Sequence, residues 1–159
     1  MGERVGPIPN RLLLSRRITK AKISGEMIEK ELAGAKSDLE TAARSLKDGD
    51  HKWATVQAYY SIFHAARALL FARGYREKSH RGLQLMLQDL YSREIPQQMF
   101  DDFRDAMIMR ESADYGLVSS IEDAHDVLER ATDFVKKANT LLRESSVSRK
   151  RRLRTKRVV

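Results

Sequence analysis

The spacing of apolar residues along this chain predicts an all-α protein. From about Ser24 to Leu46, apolar side chains recur at alternating steps of four and three residues, which is the period of one helix face. Further stripes follow at about 50–73, 80–92, 96–113 and 119–142. Strand signals are missing, because no alternating β-branched runs or hairpin turns between them occur. The short connections favour an up-and-down bundle of four to five antiparallel helices.

Residues typical of helix ends separate these stripes. Asp50 and Ser79 are predicted to be N-caps, and Ser119 opens a capping-box pattern with a glutamate three residues later. Pro96 suits the first turn of the fourth helix. Gly74 is expected to end the second helix in a left-handed conformation.

Length and composition favour a single soluble domain. The chain has 159 residues and no cysteine, which fits a reducing cytoplasm. No run approaches the roughly 18 apolar residues of a membrane span. The triplet at 12–14 is also much shorter than the apolar region of a signal peptide, about 7–15 residues. We therefore expect a cytoplasmic protein with no membrane contact.

The net charge of +8 belongs to the two ends of the chain. Residues 1–22 have six basic side chains and one acid, and residues 149–157 have seven and none, which leaves 17 basic and 21 acidic residues between. We therefore predict a basic N-terminal arm (1–22), a helical bundle (23–144) and a basic, disordered tail (145–159). The tail either solubilises the protein or binds nucleic acid through seven cations. These are Arg149, Lys150, Arg151, Arg152, Arg154, Lys156 and Arg157.

The second helix combines an apolar surface with a polar face. Tyr60, His64 and Arg67 stand at i, i+4 and i+7 and therefore share that face. The structural interpretation of His64 is a core histidine whose partner is a tyrosine or a backbone carbonyl. The functional interpretation makes the face part of a binding or catalytic site.

Cationic residues gather at the predicted start of the third helix. Lys78, His80 and Arg81 place donors where the helix dipole already favours anions, although His80 could simply fill the first turn. The histidines lack the spacing of a metal site, so no metal or other cofactor is expected.

The end of the fourth helix contains a second candidate site. Arg110 and Asp114 are i, i+4 neighbours, and spacing alone favours an ion pair that closes the helix before Gly116. Alternatively, Arg110 binds phosphate, because its planar guanidinium donates two parallel hydrogen bonds. Tyr115 would then supply a neighbouring hydroxyl.

Three segments together resemble the HEPN family (higher eukaryotes and prokaryotes nucleotide-binding), in its small stand-alone prokaryotic branch. They are Ala58-Tyr-Tyr-Ser-Ile-Phe-His-Ala-Ala-Arg-Ala-Leu-Leu70, Lys78-Ser-His-Arg-Gly-Leu83 and Arg110-x-x-Ala-Asp-Tyr-Gly116, and the resemblance covers about residues 28–142. It implies a bundle that forms a homodimer with the arginine motif facing its symmetry mate. Many members are metal-independent ribonucleases with an Arg-x4–6-His motif that cleave RNA through the 2′-hydroxyl. Many are toxins encoded beside a minimal nucleotidyltransferase, which neutralises them by binding or by adenylylating a tyrosine near the motif.

This chain departs from the ribonuclease motif. The positions where the histidine is expected hold Tyr115, Gly116 and Leu117, and no histidine follows Arg110 before His125. The preferred hypothesis is one half of a toxin–antitoxin or defence module, in which Arg110, Asp114 and Tyr115, with Arg67, Lys78 and Arg81, bind phosphate of RNA or a nucleotide. Tyr115 is also the candidate modification site. The second hypothesis is a metal-independent endoribonuclease in which Arg110 acts with His64 or His80. The third is a dimerisation or docking scaffold without catalysis.

Overall fold

Helices account for most of the residues, 18–116 and 120–158, that this computed structural model describes. The bounds are β1 Ile18–Lys20, α1 Gly25–Lys47, α2 His51–Ala72, β2 Tyr75–Glu77, α3 His80–Tyr91, α4 Gln97–Asp114 and α5 Ile121–Arg157. The predicted all-α bundle is confirmed. None of the helices in these two ranges is long and apolar enough to cross a bilayer.

Helix α2 is the central element of the bundle. Tyr59, Ile62 and Leu69 on it are fully buried, and it packs against α1, α4 and α5. Helix α1 runs antiparallel to it, because the Ser45 hydroxyl bonds Gln57 near one end while Glu31 bonds His64 near the other. The polar face of α2 is the side that the core leaves half-exposed.

Most predicted helix ends are confirmed. Asp50 accepts a hydrogen bond from the Trp53 amide at 3.3 Å, and Ser79 accepts one from the Gly82 amide at 2.9 Å. Gly74 has a φ of +83°, which a side chain would make costly. The predicted cap at Ser119 lies outside the described residues.

The first residues of α5 show a cap one position later than the sequence pattern suggests. Ser120 is the N-cap, and its hydroxyl accepts from the Asp123 amide at 3.0 Å. An N-cap hydroxyl satisfies one of the amides that the first helical turn leaves unpaired. The helix therefore begins at Ile121.

The structure also contains a strand pair that the apolar pattern does not predict. Strands β1 and β2 pair antiparallel, with Ile18 opposite Glu77 and Lys20 opposite Tyr75. Each strand has three residues, which is too short for an alternating pattern to stand out. Ile18 is fully buried, so the end of the predicted basic arm is part of the fold, while residues 1–17 lie outside the described part.

Residues 145–157 of the basic tail, for which the sequence predicts disorder, lie in helix α5. Helix α5 continues without a break from Ile121 to Arg157. The sequence contains no glycine or proline after Gly116, and arginine and lysine are good helix formers. Cations in the last turns are also favourable near the negative end of the helix dipole. High charge therefore did not prevent helix formation.

Candidate functional site

Arg110 lies on α4 and extends over the polar face of α2. Its Nη2 donates to the Tyr60 hydroxyl at 3.2 Å and pairs with the Asp114 carboxylate at 3.1 Å. The intramolecular pair with Asp114 that the structural interpretation predicts is therefore present. The side chain is nevertheless 25% exposed, and its Nε is buried without a hydrogen-bond partner among the described residues. The guanidinium is thus held in place but is not saturated.

Two tyrosines and a histidine surround this guanidinium. Its central carbon lies 5.8 Å from the ring centre of Tyr59 and 5.6 Å from that of Tyr60. The His80 ring stacks on Tyr59 at 5.9 Å and meets Tyr60 edge-on at 6.5 Å. We call Tyr59, Tyr60, His80 and Arg110 the arginine–histidine cluster. The fold thus brings two of the predicted site residues to the same pair of tyrosines.

The protonation of His80 follows from its contacts. Burial and the charges of Arg110 and Arg67 lower the pKa of His80 below its ordinary value, so the ring is neutral at pH 7. Burial raises the pKa of Tyr59 far above its ordinary value, so that phenol keeps its proton. Tyr59 Oη and His80 Nδ1 are 2.5 Å apart, and the phenol has no other acceptor among the described residues. Tyr59 therefore donates to Nδ1, which leaves the imidazole proton on Nε2.

This protonation state determines what the cluster can do chemically. Arg110 offers a permanent cation with unused donor capacity, and His80 offers an Nε2–H donor. This cation and this neutral donor form a site suited to an oxyanion such as a phosphate, which would compete with the Asp114 carboxylate for the guanidinium. Lys78 and Arg81, whose side chains are exposed beside His80, add positive charge at the start of α3.

The other half of the polar face on α2 has a different environment. His64 Nδ1 lies 2.6 Å from Glu31 and its Nε2 lies 3.4 Å from Asp38, so its partners are two carboxylates of α1 rather than a tyrosine or a carbonyl. Arg67 bonds Glu77 through Nε at 2.6 Å and approaches Glu31 at 3.4 Å. We call Glu31, Asp38, His64, Arg67 and Glu77 the carboxylate cluster. His64 and Arg67 are therefore committed to contacts inside the subunit.

Sequence reasoning missed the carboxylates of this second cluster. Glu31 is 33 residues from His64, and Glu77 is ten residues from Arg67 on a strand that the pattern did not reveal. Gly34 is a local signal of the contact, because a Cβ there would lie 3.4 Å from the His64 ring. A glycine inside an amphipathic helix can mark such a close approach.

Comparison with known families matches residues 28–144 to the HEPN domain. The chain belongs to the HEPN family. A Methanocaldococcus jannaschii protein with the name "Putative toxin MJ0142" is 26% identical over 119 residues, which cover 72% of this chain and 81% of that protein. A UPF0332 protein of Archaeoglobus fulgidus is 28% identical over 123 residues, which cover 74% of this chain and 97% of its own.

Tyr115 in this HEPN chain stands at the end of α4, directly after the Arg110–Asp114 pair. Its side chain is 86% exposed, and the next residue, Gly116, turns the chain with a φ of +74°. The hydroxyl is therefore open to solvent and to a partner protein. In the part of the HEPN chain that the structure describes, no three metal-ligating side chains cluster.

A separate concavity lies elsewhere on the HEPN bundle. It has a volume of about 300 Å³ and is lined by α1, the end of α2 and α5, with Ile28, Leu32 and Leu142 among its apolar residues. No member of either cluster lines it. The arginine–histidine cluster lies apart from this concavity, and it reaches the surface through Arg110, whose side chain is 25% exposed.

Proposed function

We propose that this HEPN protein is the phosphate-binding component of a two-component toxin–antitoxin or defence module, with RNA or a nucleotide as its ligand. The observation that carries the proposal is a pair of donors, Arg110 and His80, which contact the same two tyrosines, Tyr59 and Tyr60. The printed name of the Methanocaldococcus jannaschii relative supports the toxin class.

Each residue of the predicted site then has a distinct role. Arg110 binds the phosphate, Asp114 orients the guanidinium, and His80 donates a second hydrogen bond. Tyr115 is a contact or modification site, because its hydroxyl is exposed within one residue of that pair. Arg67, which the sequence analysis places among the phosphate-binding residues, has no direct contact with phosphate in this proposal, since its donors are used by Glu31 and Glu77.

The partners in this proposal are a second copy of the chain and a nucleotidyltransferase. Ile108, on the same helix as Arg110, has a side chain that is 52% exposed, which is the kind of apolar residue that an interface buries. Light scattering on wild type and on Ile108→Asp measures the molecular mass in solution and therefore shows whether the chain dimerises. A dimer that the substitution dissociates is expected, and a wild-type monomer at all concentrations contradicts the dimer.

RNA binding by an Arg110→Ala variant tests the proposed ligand. We expect about a tenfold or greater loss of affinity, because hydrogen bonds to charged groups contribute about 1.5–3 kcal/mol. Arg104→Ala is the matched control, since Arg104 is an exposed arginine on the same helix that pairs with Asp101 and Asp105. Equal binding by both variants, with a loss of dimer or of stability in Arg110→Ala alone, would instead favour the scaffold.

The position of His80 favours one second candidate, a metal-independent endoribonuclease. In such a reaction the 2′-oxygen attacks the adjacent phosphorus and the bond from phosphorus to the 5′-oxygen breaks. The 2′-hydroxyl loses a proton, and the departing 5′-oxygen gains one. Arg110 would stabilise the phosphorane charge, and His80 would move a proton. The Tyr59 contact argues against His80 as the base, because it places the proton on Nε2. To act as the base through Nε2, His80 would have to change to the tautomer that carries its proton on Nδ1.

Incubation of RNA with the purified chain in EDTA tests the endoribonuclease. If the chain is an enzyme, cleavage persists in EDTA and disappears in Arg110→Ala and His80→Ala. His64→Ala and His125→Ala are controls, because His64 is bound to α1 and His125 is exposed. Intact RNA at high protein concentration would exclude this activity and leave the binding function.

A further inference from the structure

The end of α5 extends past the buried part of the bundle, and Arg149 is the last of its residues to line the concavity beside α1. Every side chain from 143 to 158 is exposed, whereas Ala138 is the last buried residue of α5. We call residues 149–157 the basic extension. It has seven cations and no acid, and the last acidic residue before it is Glu144. The extension therefore presents an ordered positive charge beyond the bundle.

The cations lie on all sides of this helix. At about 100° of rotation per residue, the seven basic positions leave no gap wider than roughly 100° around the axis. A helix that lies on a membrane or on another protein separates a charged face from an apolar one. Leu153 is the single apolar residue between 149 and 157, so the extension has no apolar face.

Repulsion within the extension indicates the kind of ligand that it needs. Like-charged neighbours three or four residues apart recur along it: Arg149 and Arg152, Lys150 and Arg154, Arg152 and Lys156. Such pairs destabilise a helix, and two copies of the extension would repel each other in the same way. A polyanion that surrounds the helix relieves both effects, because each cation then faces a phosphate.

We propose that the basic extension inserts as a helix into a groove of double-stranded nucleic acid. Two phosphate backbones line such a groove, so cations on opposite sides of one helix can all reach phosphates. The major groove of B-DNA admits an α-helix, whereas that of regular A-form RNA is deep and narrow. For RNA, the ligand that the proposed function supplies and on which this inference rests, we expect insertion where a bulge widens the groove.

A helix-breaking variant that keeps every charge tests this binding mode in the full chain. Leu153→Pro removes a backbone donor and interrupts the helix between the cations, while Leu153→Ala keeps both helix and charge. The probes are a bulged RNA duplex, a fully paired RNA duplex, a DNA duplex and a single-stranded RNA of equal length. Affinity is measured by fluorescence anisotropy at several salt concentrations.

We expect Leu153→Pro to bind the bulged duplex about tenfold more weakly than wild type and Leu153→Ala to stay within about twofold of it. The salt slope should also fall by about 0.9 for each phosphate contact that is lost. Equal binding by both variants to all four probes would overturn the proposal and leave a flexible polycation. So would stronger competition by polyglutamate than by the duplexes, which would indicate an acidic protein partner.

The outcome is separable from that of the proposed function. If Leu153→Pro loses duplex affinity while Arg110→Ala does not, the extension binds nucleic acid and the Arg110 site is wrong. If Arg110→Ala loses affinity while Leu153→Pro does not, the Arg110 site is retained and the proposed role of the extension is wrong. Preference for the DNA duplex over both RNA duplexes would keep groove insertion and contradict RNA as the ligand.

Discussion

The two halves of the polar face on α2 use similar residues for different purposes. In the carboxylate cluster, each histidine and arginine is paired with carboxylates, and Glu77 there is only 6% exposed. In the arginine–histidine cluster, Arg110 and His80 contact tyrosines, and the single carboxylate bound to Arg110 is the exposed Asp114. The donors of His64 and Arg67 are thus occupied by carboxylates, whereas Arg110 keeps an Nε without a hydrogen-bond partner among the described residues and can still bind a ligand.

The largest effect on stability is expected at Arg67. Arg67→Ala leaves the buried Glu77 carboxylate without its cation, which costs about 3 kcal/mol or more of unfolding free energy. Urea denaturation measures it. Combining Arg67→Ala with Glu77→Gln should recover part of the lost stability. A loss below about 1 kcal/mol in Arg67→Ala alone would contradict the importance of the Arg67–Glu77 pair for stability.

A smaller loss is expected at His64. His64→Ala removes the bond that joins α1 to α2 through Glu31, at a cost of about 2 kcal/mol, and leaves RNA affinity unchanged. His125→Ala, at an exposed position, is the control for both measurements. Weaker RNA binding by a folded His64→Ala protein would move the functional site into the carboxylate cluster.

Removal of the Tyr60 hydroxyl should have a modest effect. Tyr60→Phe deletes one hydrogen bond from Arg110 and costs about 1 kcal/mol of stability. RNA affinity should change by less than threefold, because Asp114 still holds the guanidinium. A loss as large as that in Arg110→Ala would mean that the hydroxyl itself contacts the ligand.

The smallest expected effect is on the pH dependence of stability. Because the pKa of His80 is lowered in the folded state, its contribution is fully present above pH 6.5 and is lost as the pH falls toward the folded value. Unfolding free energies of wild type and His80→Gln at pH 8 and pH 5.5 measure it. The difference between the two pH values should be smaller in the variant, and an equal difference would contradict a low pKa.

The sequence predicted those features that depend on near neighbours. The caps at Asp50 and Ser79 and the left-handed Gly74 follow from contacts within a few residues, and the structure confirms them. Arg110 and Asp114 are one helical turn apart, so their pairing also follows from spacing.

The remaining features depend on contacts between distant segments. The Tyr59–His80 bond joins residues 21 positions apart, and the bond from Arg110 to Tyr60 joins residues 50 apart. Which of His64 and His80 lies near Arg110 could not be read from spacing, because both are polar positions of half-buried helices. The helix over residues 145–157 does not follow from the charge pattern, because high charge density is typical of disorder, whereas the helix propensity of arginine and lysine favours order.

The most direct test is the titration of the individual histidines by NMR, without and with a short RNA whose 2′-O-methyl groups prevent cleavage. We predict that the pKa of His80 in the free protein lies below the ordinary value of about 6.5 and rises when the RNA binds, because a phosphate offsets the charge of Arg110. Arg110→Ala should abolish the rise at His80. A His80 pKa that stays constant at saturating RNA would contradict a phosphate site at the arginine–histidine cluster.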